Sequence, residues 1–338
     1  MKRAPFSNRR DSGLAEWLVE KGIGEERAVL IDKGEIVAAR LVWPGRLAAG
    51  QVEDAVLASR HQGSRRGTVR FSNGEDALVD RLPRAAQEGA PIRVEITREA
   101  LRERDRTQLA HARPSESPPR PAPGLIEQLR GEGFEARSVR RFDGGAWEDL
   151  WLEAWQGATA FDGGELAFFD TSAMTLIDID GAGDPRSLAL AAVPAIATAL
   201  RRFDMGGSIG IDFPTLAAKA DRKAVDDALD RALSGWPHER TAMNGFGFVQ
   251  LVARFARPSL LQRIRRGRTG AAARLALRRA ERVEGPGVTL LTLHPALKAK
   301  LRPEWLAELE RRTGRPTRLA IEPGLALEAV AAQIVPHD

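Results

Sequence analysis

The chain of 338 residues contains no cysteine and no tyrosine, and only 6% of it is aromatic. Without cysteine there is no disulfide scaffold, no thiolate zinc site, no iron–sulfur cluster and no cysteine nucleophile. Histidine is also scarce: His61, His111, His238, His294 and His337 stand far apart, and none has the paired spacing of a metal ligand. No uninterrupted apolar run is long enough for a transmembrane helix, so no membrane partner is expected. The basic start, from Met1 to Arg10, is followed by no apolar segment, so no secretory signal is expected and the cytoplasm is the expected location.

What the chain does have is arginine. Of its 51 basic side chains 44 are Arg, set against 46 acidic ones, for a net charge of +5. That balance permits contact with nucleic acid or an anionic surface without requiring it. The bias has two readings. A GC-rich coding sequence enriches Arg and Ala without selection, and Arg is also the better fork for phosphate. An apolar content of 43% suits a globular chain, and the length allows two or three domains with cores.

Periodicity and turn residues organise the chain. A short helix is expected from Leu14 to Lys21, after a polar, frayed stretch over residues 1–12. Arg27 to Ile31 and Glu35 to Leu41 read as two strands around an Asp32-Lys33-Gly34 turn. Residues 50–60 read as helical or irregular. Gly67 to Phe71, Asp76 to Asp80 and Ile92 to Thr97 alternate as strands of a small antiparallel barrel or sheet. Five prolines in residues 111–124 mark a linker or crossing loop. Trp147, Trp151 and Trp155 share one helix face, read as core in preference to a binding platform.

From Glu165 onward the pattern is α/β: strands at Glu165–Phe169 and Thr175–Ile179, a helix from Pro185 to Phe203, a strand from Ser208 to Phe213 and a helix from Arg222 to Leu233. Phe246 to Phe255 is an apolar strand or helix. A compact α/β piece ends the chain, with strands at Val288–Leu293 and Thr317–Ile321 around a helix from Pro303 to Arg312.

Two segments carry the chemistry. In Met174-Thr-Leu-Ile-Asp178-Ile-Asp180-Gly181 and Gly206-Gly-Ser-Ile-Gly-Ile-Asp212-Phe213, an apolar strand delivers acidic residues near its end. Ligands of open α/β sheets gather outside the carboxyl ends of strands. Asp178 and Asp180 are two apart and share a face, and Asp212 on a neighbouring strand can converge with them. Carboxylates without His or Cys form a hard-oxygen site for Mg²⁺ or Mn²⁺. The plainer reading is that these residues end strands or cap helices.

These paired segments, one helix apart, resemble the catalytic region of the RNase E/G endoribonuclease family. Supporting similarity lies in Arg222-Lys-Ala-Val-Asp-Asp-Ala-Leu, in Asn244-Gly-Phe-Gly-Phe-Val-Gln-Leu and in Thr292-Leu-His-Pro-Ala-Leu. Ile92-Arg-Val-Glu-Ile-Thr-Arg-Glu is similar to the strand that closes the family's OB-type RNA-binding barrel. The resemblance is strong over residues 165–262 and collinear elsewhere.

The resemblance implies an α/β, multidomain chain. Its expected parts are a β-rich region with a degenerate OB-type barrel (1–110), a linker (111–124), an RNase H-like connecting segment (125–164), a DNase I-like catalytic subdomain (165–262) and a basic segment with a small α/β domain (263–338). It implies an Mg²⁺-dependent endoribonuclease acting on single-stranded RNA, with Asp178 and Asp212 as metal ligands and Asp180 assisting. Lys219, Arg222 and Lys223 are candidates for phosphate contacts.

Departures from the family are specific. Asp180 stands where the family usually has Asn, which adds charge and removes an NH₂ donor. Ser172 stands where the family has Glu. The family's cysteine-based zinc link cannot form, so the chain is expected without zinc, as a monomer or as a homodimer joined otherwise. No sensor for an RNA 5′-monophosphate is recognisable, and Phe71 alone offers a stacking ring in the shortened barrel.

Where the zinc link would lie, the sequence has an arginine-rich run from Arg263 to Arg282. Arg263, Arg265, Arg266, Arg274 and Arg278 are read as an RNA-backbone track, the alternative being a solvated helix face. A second functional reading is an RNA-binding relative with weakened or lost catalysis, and a third is a protein–protein adaptor, for which no residue speaks.

Overall fold

The computed structural model describes residues 16–102 and 107–337. The chain begins with an antiparallel meander: β1 (Trp17–Gly22), β2 (Glu25–Asp32) and β3 (Glu35–Val42). Lys33 and Gly34 both take positive φ, of 49° and 85°, in a two-residue turn that matches the twist of β2 and β3. The hairpin expected there is present. The helix expected over 14–21 is not, and residues 1–15 lie outside the described ones. From Trp17 the segment is β1, because its inward Trp17 and Val19 pair against β2 and no helical spacing of apolar residues competes.

A closed five-stranded barrel follows. Its strands are β4 (Val52–Arg60), β5 (Gly67–Arg70), β6 (Asp76–Val79), β7 (Pro91–Arg98) and, after the short pair β8 (Leu101–Arg102) and β9 (Thr107–Gln108), β10 (Ala110–Pro114). The order around the barrel is β10-β6-β5-β4-β7, all antiparallel except β6 with β10. Residues 50–60, read as helical or irregular, are mostly β4, whose inward Ala55 and Leu57 are core. The first part of the proline-rich linker is β10, which closes the barrel. Arg120 then bridges back to Val52, so the segment is bound to the barrel along its length.

The chain returns to its first sheet. After α1 (Leu125–Gly131), β11 (Ala136–Val139) pairs in parallel with β1 and completes the order β11-β1-β2-β3. The barrel is therefore an insertion in this sheet, and strand pairing joins residues 17–42 to 136–139 across the expected domain boundaries.

The next unit is a six-stranded sheet. It uses α2 (Ala146–Gln156), β12 (Ala158–Phe161), β13 (Gly164–Asp170), β14 (Thr175–Gly181), α3 (Pro185–Arg202), β15 (Gly207–Asp212), α4 (Lys219–Ala232), β16 (His238–Arg240) and β17 (Phe248–Ala253). The strand order is β12-β13-β14-β15-β17-β16, and β14 and β15, joined through α3, are parallel. Asp184 starts α3 by accepting from Ser187 N at 2.8 Å, with Pro185 at the first helical position. Trp147, Trp151 and Trp155 on α2 are 2%, 6% and 4% exposed, and the last two stack at 5.0 Å. The tryptophan stripe is core.

Two helices, α5 (Leu260–Arg266) and α6 (Arg268–Arg282), lead into the last unit: β18 (Val288–Leu293), α7 (Pro295–Lys298), α8 (Pro303–Thr313), β19 (Thr317–Ile321) and β20 (Ala331–Val335). β18 is central and pairs with both others. One apolar core runs from Ile23 through the six-stranded sheet to Val330, while the barrel keeps a core of its own. Among the described residues no helix is long and apolar enough to cross a membrane.

A buried ion network ties the first sheet to α6. Arg27, 1% exposed, donates to Glu25 at 2.9 Å and to Glu20 at 2.7 Å. Arg278 on α6 reaches the same Glu20 at 3.2 Å and Glu148 of α2 at 2.9 Å. Removing one member leaves charge buried and unpaired, at a cost of about 3–5 kcal/mol. Arg278→Ala is accordingly expected to lower the urea unfolding free energy by about that amount, whereas an exposed Arg66→Ala is expected to leave it nearly unchanged.

Candidate functional site

Among the described residues, the six-stranded sheet is covered on one face only. Leu166, Phe168, Ile177, Ile179, Ile209, Ile211, Val249 and Leu251 point into the core. Alternation then sends Glu165, Asp178, Asp180, Gly210, Asp212 and Gln250 to the opposite face. On that face Asp178 of β14 and Asp212 of β15 are direct register partners in the parallel pair. Asp178 is half-buried and Asp212 exposed. Asp180 lies two residues further along β14, exposed, opposite Glu165 of β13.

Gly210 keeps the floor beside them low. A Cβ there would lie 2.5 Å from the Phe248 ring and 2.9 Å from Met174 Sδ. The turn before β17 flanks Asp212. Asn244 Oδ1 accepts from Phe246 N at 2.8 Å and Phe248 N at 3.1 Å, and Phe213 N donates to Gly247 O at 3.2 Å.

The electrostatics separate these carboxylates from most others. In this arginine-rich chain Asp170, Asp204 and Asp226 are paired with Arg266, Arg257 and Arg240. Glu165, Asp178, Asp180 and Asp212 form no ion pair among the described residues. Among the described residues the Asp178 carboxylate accepts one hydrogen bond, from Ile179 N at 3.1 Å. Register partners in adjacent strands lie about 5 Å apart, where two like charges repel by about 1–3 kcal/mol at surface screening. The donors are hard carboxylate oxygens facing solvent, which fits Mg²⁺ or Mn²⁺ and offers nothing to a soft metal. Among the described residues no three His, Cys, Asp or Glu side chains gather around one point.

The expected RNA-binding arginines are placed differently from the sequence expectation. Arg263 pairs with Glu99 at 2.8 Å, Arg265 donates to Phe168 O, and Arg266 faces Asp170 at 3.6 Å. Arg274 donates to Gly24 O at 2.8 Å between the rings of Trp43 and Trp305, 4.2 and 4.7 Å away. Burial lowers its pKa to about 10. Arg278 is 2% exposed within the ion network. Arg263, Arg265, Arg266, Arg274 and Arg278 thus each have a protein partner, and they pack α5 and α6 against the first sheet, the barrel's end and β13, where buried carboxylates and carbonyls take guanidinium partners.

Of the remaining candidates, Arg222 braces the loop after β15 by donating to Leu216 O and Ala217 O. Lys223 pairs with Asp227 at 2.6 Å, and Lys219 is exposed at the start of α4. Phe71 is 3% exposed, inside the barrel, so it offers no stacking face.

One group of exposed basic residues lies on the loops β4–β5 and β6–β7 at one end of the barrel. Arg60, His61, Arg65 and Arg84 line a shallow depression there. Arg66 and Arg81 are exposed beside them. Arg81 holds a positive φ of 62°, and Arg65 donates to its carbonyl at 3.1 Å. Arg81 and Arg84 have no side-chain partner among the described residues. Basic residues in short loops after alternating strands were the available signal in the sequence.

No family model matches this chain, and no curated protein is significantly similar to it.

Because Asp178 and Asp212 repel without a cation, replacing either with Asn is expected to stabilise the metal-free chain. Urea unfolding at low salt is expected to show a gain of about 1 kcal/mol, shrinking as salt screens the pair.

Proposed function

We propose that the protein is an Mg²⁺-dependent endoribonuclease of the RNase E/G type, acting on single-stranded RNA. The observation that carries this reading is the register of β14 and β15, which sets Asp178 beside Asp212 on an open sheet face, with no cation among the described residues paired to either. Both aspartates would hold the metal, which supplies a water of lowered pKa and neutralises charge developing on the phosphate.

The chain's own residues do the rest. Asp178 is aimed by its hydrogen bond from Ile179 N. Arg222 fixes the loop that follows Asp212, and exposed Lys219 stands ready for a phosphate oxygen. The barrel's order, with its parallel β6–β10 pair, supports an OB-type module, and its basic β4–β5 loop corresponds to a loop such modules use for nucleic acid. The order β3-β2-β1-β11 supports RNase H-like elements, and the one-sided six-stranded sheet supports a DNase I-like subdomain.

The second reading, an RNA binder with attenuated catalysis, is favoured by Asp180 opposite Glu165. Two further carboxylates beside the pair repel an incoming phosphate.

In an Mg²⁺ assay with a short 5′-labelled RNA, Asp178→Asn and Asp212→Asn are each expected to abolish cleavage, and Asp180→Asn to retain or raise it. Unchanged cleavage by both of the first two variants sinks the endonuclease assignment; binding without cleavage by the parent chain favours the attenuated reading. Replacing both Arg81 and Arg84 with Ala is expected to weaken RNA binding and to reduce the slope of log K against log salt by about 1.4, since each phosphate contact to a single strand contributes about 0.7.

A further inference from the structure

The sheet face that carries Asp178 and Asp212 also carries much of the protein's exposed apolar surface. Phe246 is 83% exposed, Phe169 48% and Val252 50%. Phe246 is the most exposed large hydrophobic residue described, yet its backbone is closely held. Besides the two bonds that Asn244 Oδ1 accepts, Asn244 N donates to Phe248 O at 3.1 Å and Gly247 N to Asn244 O at 3.2 Å. Gly247 turns the chain at a φ of 89°, where a Cβ would strike Phe213 O at 2.8 Å. The turn is built to present a bare ring to water in a fixed place.

Register shows where the two rings stand. Asp212 faces Phe248 across β15–β17, and Phe246 stands two residues before Phe248, in the turn that leads into β17. Ala167 faces Asp178 across β13–β14, so Phe169 lies two residues the other way, towards the start of β14, opposite Leu176. Phe169 on β13 and the turn that carries Phe246 before β17 thus flank the aspartate strands β14 and β15 on opposite sides. Phe169 is one strand and two residues from Asp178, a separation of about 8 Å.

A protein partner would favour a continuous apolar patch. Here the sequence across the face is ring, carboxylates, ring. That alternation matches a single nucleic-acid strand, whose flat apolar bases alternate with charged phosphates. We infer that Phe246 and Phe169 stack the two unpaired bases flanking the phosphate held over Asp178 and Asp212, so that the substrate is a single strand gripped on both sides of its scissile bond. The inference rests on the endoribonuclease reading and assigns the stacking role, lost from the barrel with the burial of Phe71, to the catalytic sheet.

The test is cleavage kinetics on a short RNA and on the same RNA with an abasic nucleotide on one side of the cleaved phosphate. Phe246→Ala is expected to raise KM about 5- to 100-fold on intact RNA, the range of one lost base stack, while Phe246→Trp retains the parent value. On the RNA lacking the base that Phe246 stacks, the parent chain is expected to show the same loss and Phe246→Ala to add nothing further. Phe169→Ala should show the same pattern for the opposite neighbour. If Phe246→Ala and Phe169→Ala keep the parent KM while Asp212→Asn is inactive, stacking is wrong and the endonuclease reading stands. If Asp178→Asn and Asp212→Asn also cleave normally, the reading beneath it fails as well.

Discussion

The structure turns on carboxylates buried between its two halves. Glu20 and Glu25 point inward from β1 and β2, where desolvation makes an unpaired charge untenable. Arg27 answers them within the sheet, and Arg278 answers Glu20 from α6, far along the chain. Arg282 joins through Glu148 and the Phe142 carbonyl. Arg274, stripped of water between Trp43 and Trp305, closes the seam beside them. Such a network adds little net stability compared with an apolar interface, but it punishes every other docking of α6. The helix that looks most suited to a polyanion is thereby committed to holding the fold.

That commitment shapes the surface. With Arg274 and Arg278 internal, a group of exposed basic residues remains at the barrel end, and among the described residues the open face of the six-stranded sheet keeps its carboxylates unpaired. In a chain with 51 basic side chains, leaving Asp178 and Asp212 adjacent and uncompensated is a choice of environment rather than a shortage of partners. Gly210 and the small Ala167 keep that face shallow around them.

Much of this was legible locally. The Asp32-Lys33-Gly34 turn, the apolar strands ending in Asp178 and Asp212, and the start of α3 at Asp184-Pro185 each follow from a few neighbouring residues. The tryptophan stripe was legible because its four-residue spacing places the three rings on one helix face, with Glu148, Asp149 and Glu153 off it. Long-range pairing was not. Nothing near Trp17 announces that β11, more than a hundred residues away, will be its partner, and nothing near Pro114 announces that it closes a barrel. The direction of an arginine was equally hidden. Arg278 and Arg66 are indistinguishable in composition, yet one is buried against Glu20 and the other lies in solvent. Only the placement of distant carboxylates separates them.

The central claim is that Asp178 and Asp212 together form a divalent-cation site. Calorimetric titration of the full chain with Mn²⁺, before and after Asp178→Asn and Asp212→Asn are combined, tests it without reference to activity. The account predicts one site in the parent chain that disappears in the double variant, with a matching rise in thermal stability of the parent alone on adding Mn²⁺. Equal Mn²⁺ affinity and stoichiometry in the two proteins would contradict it.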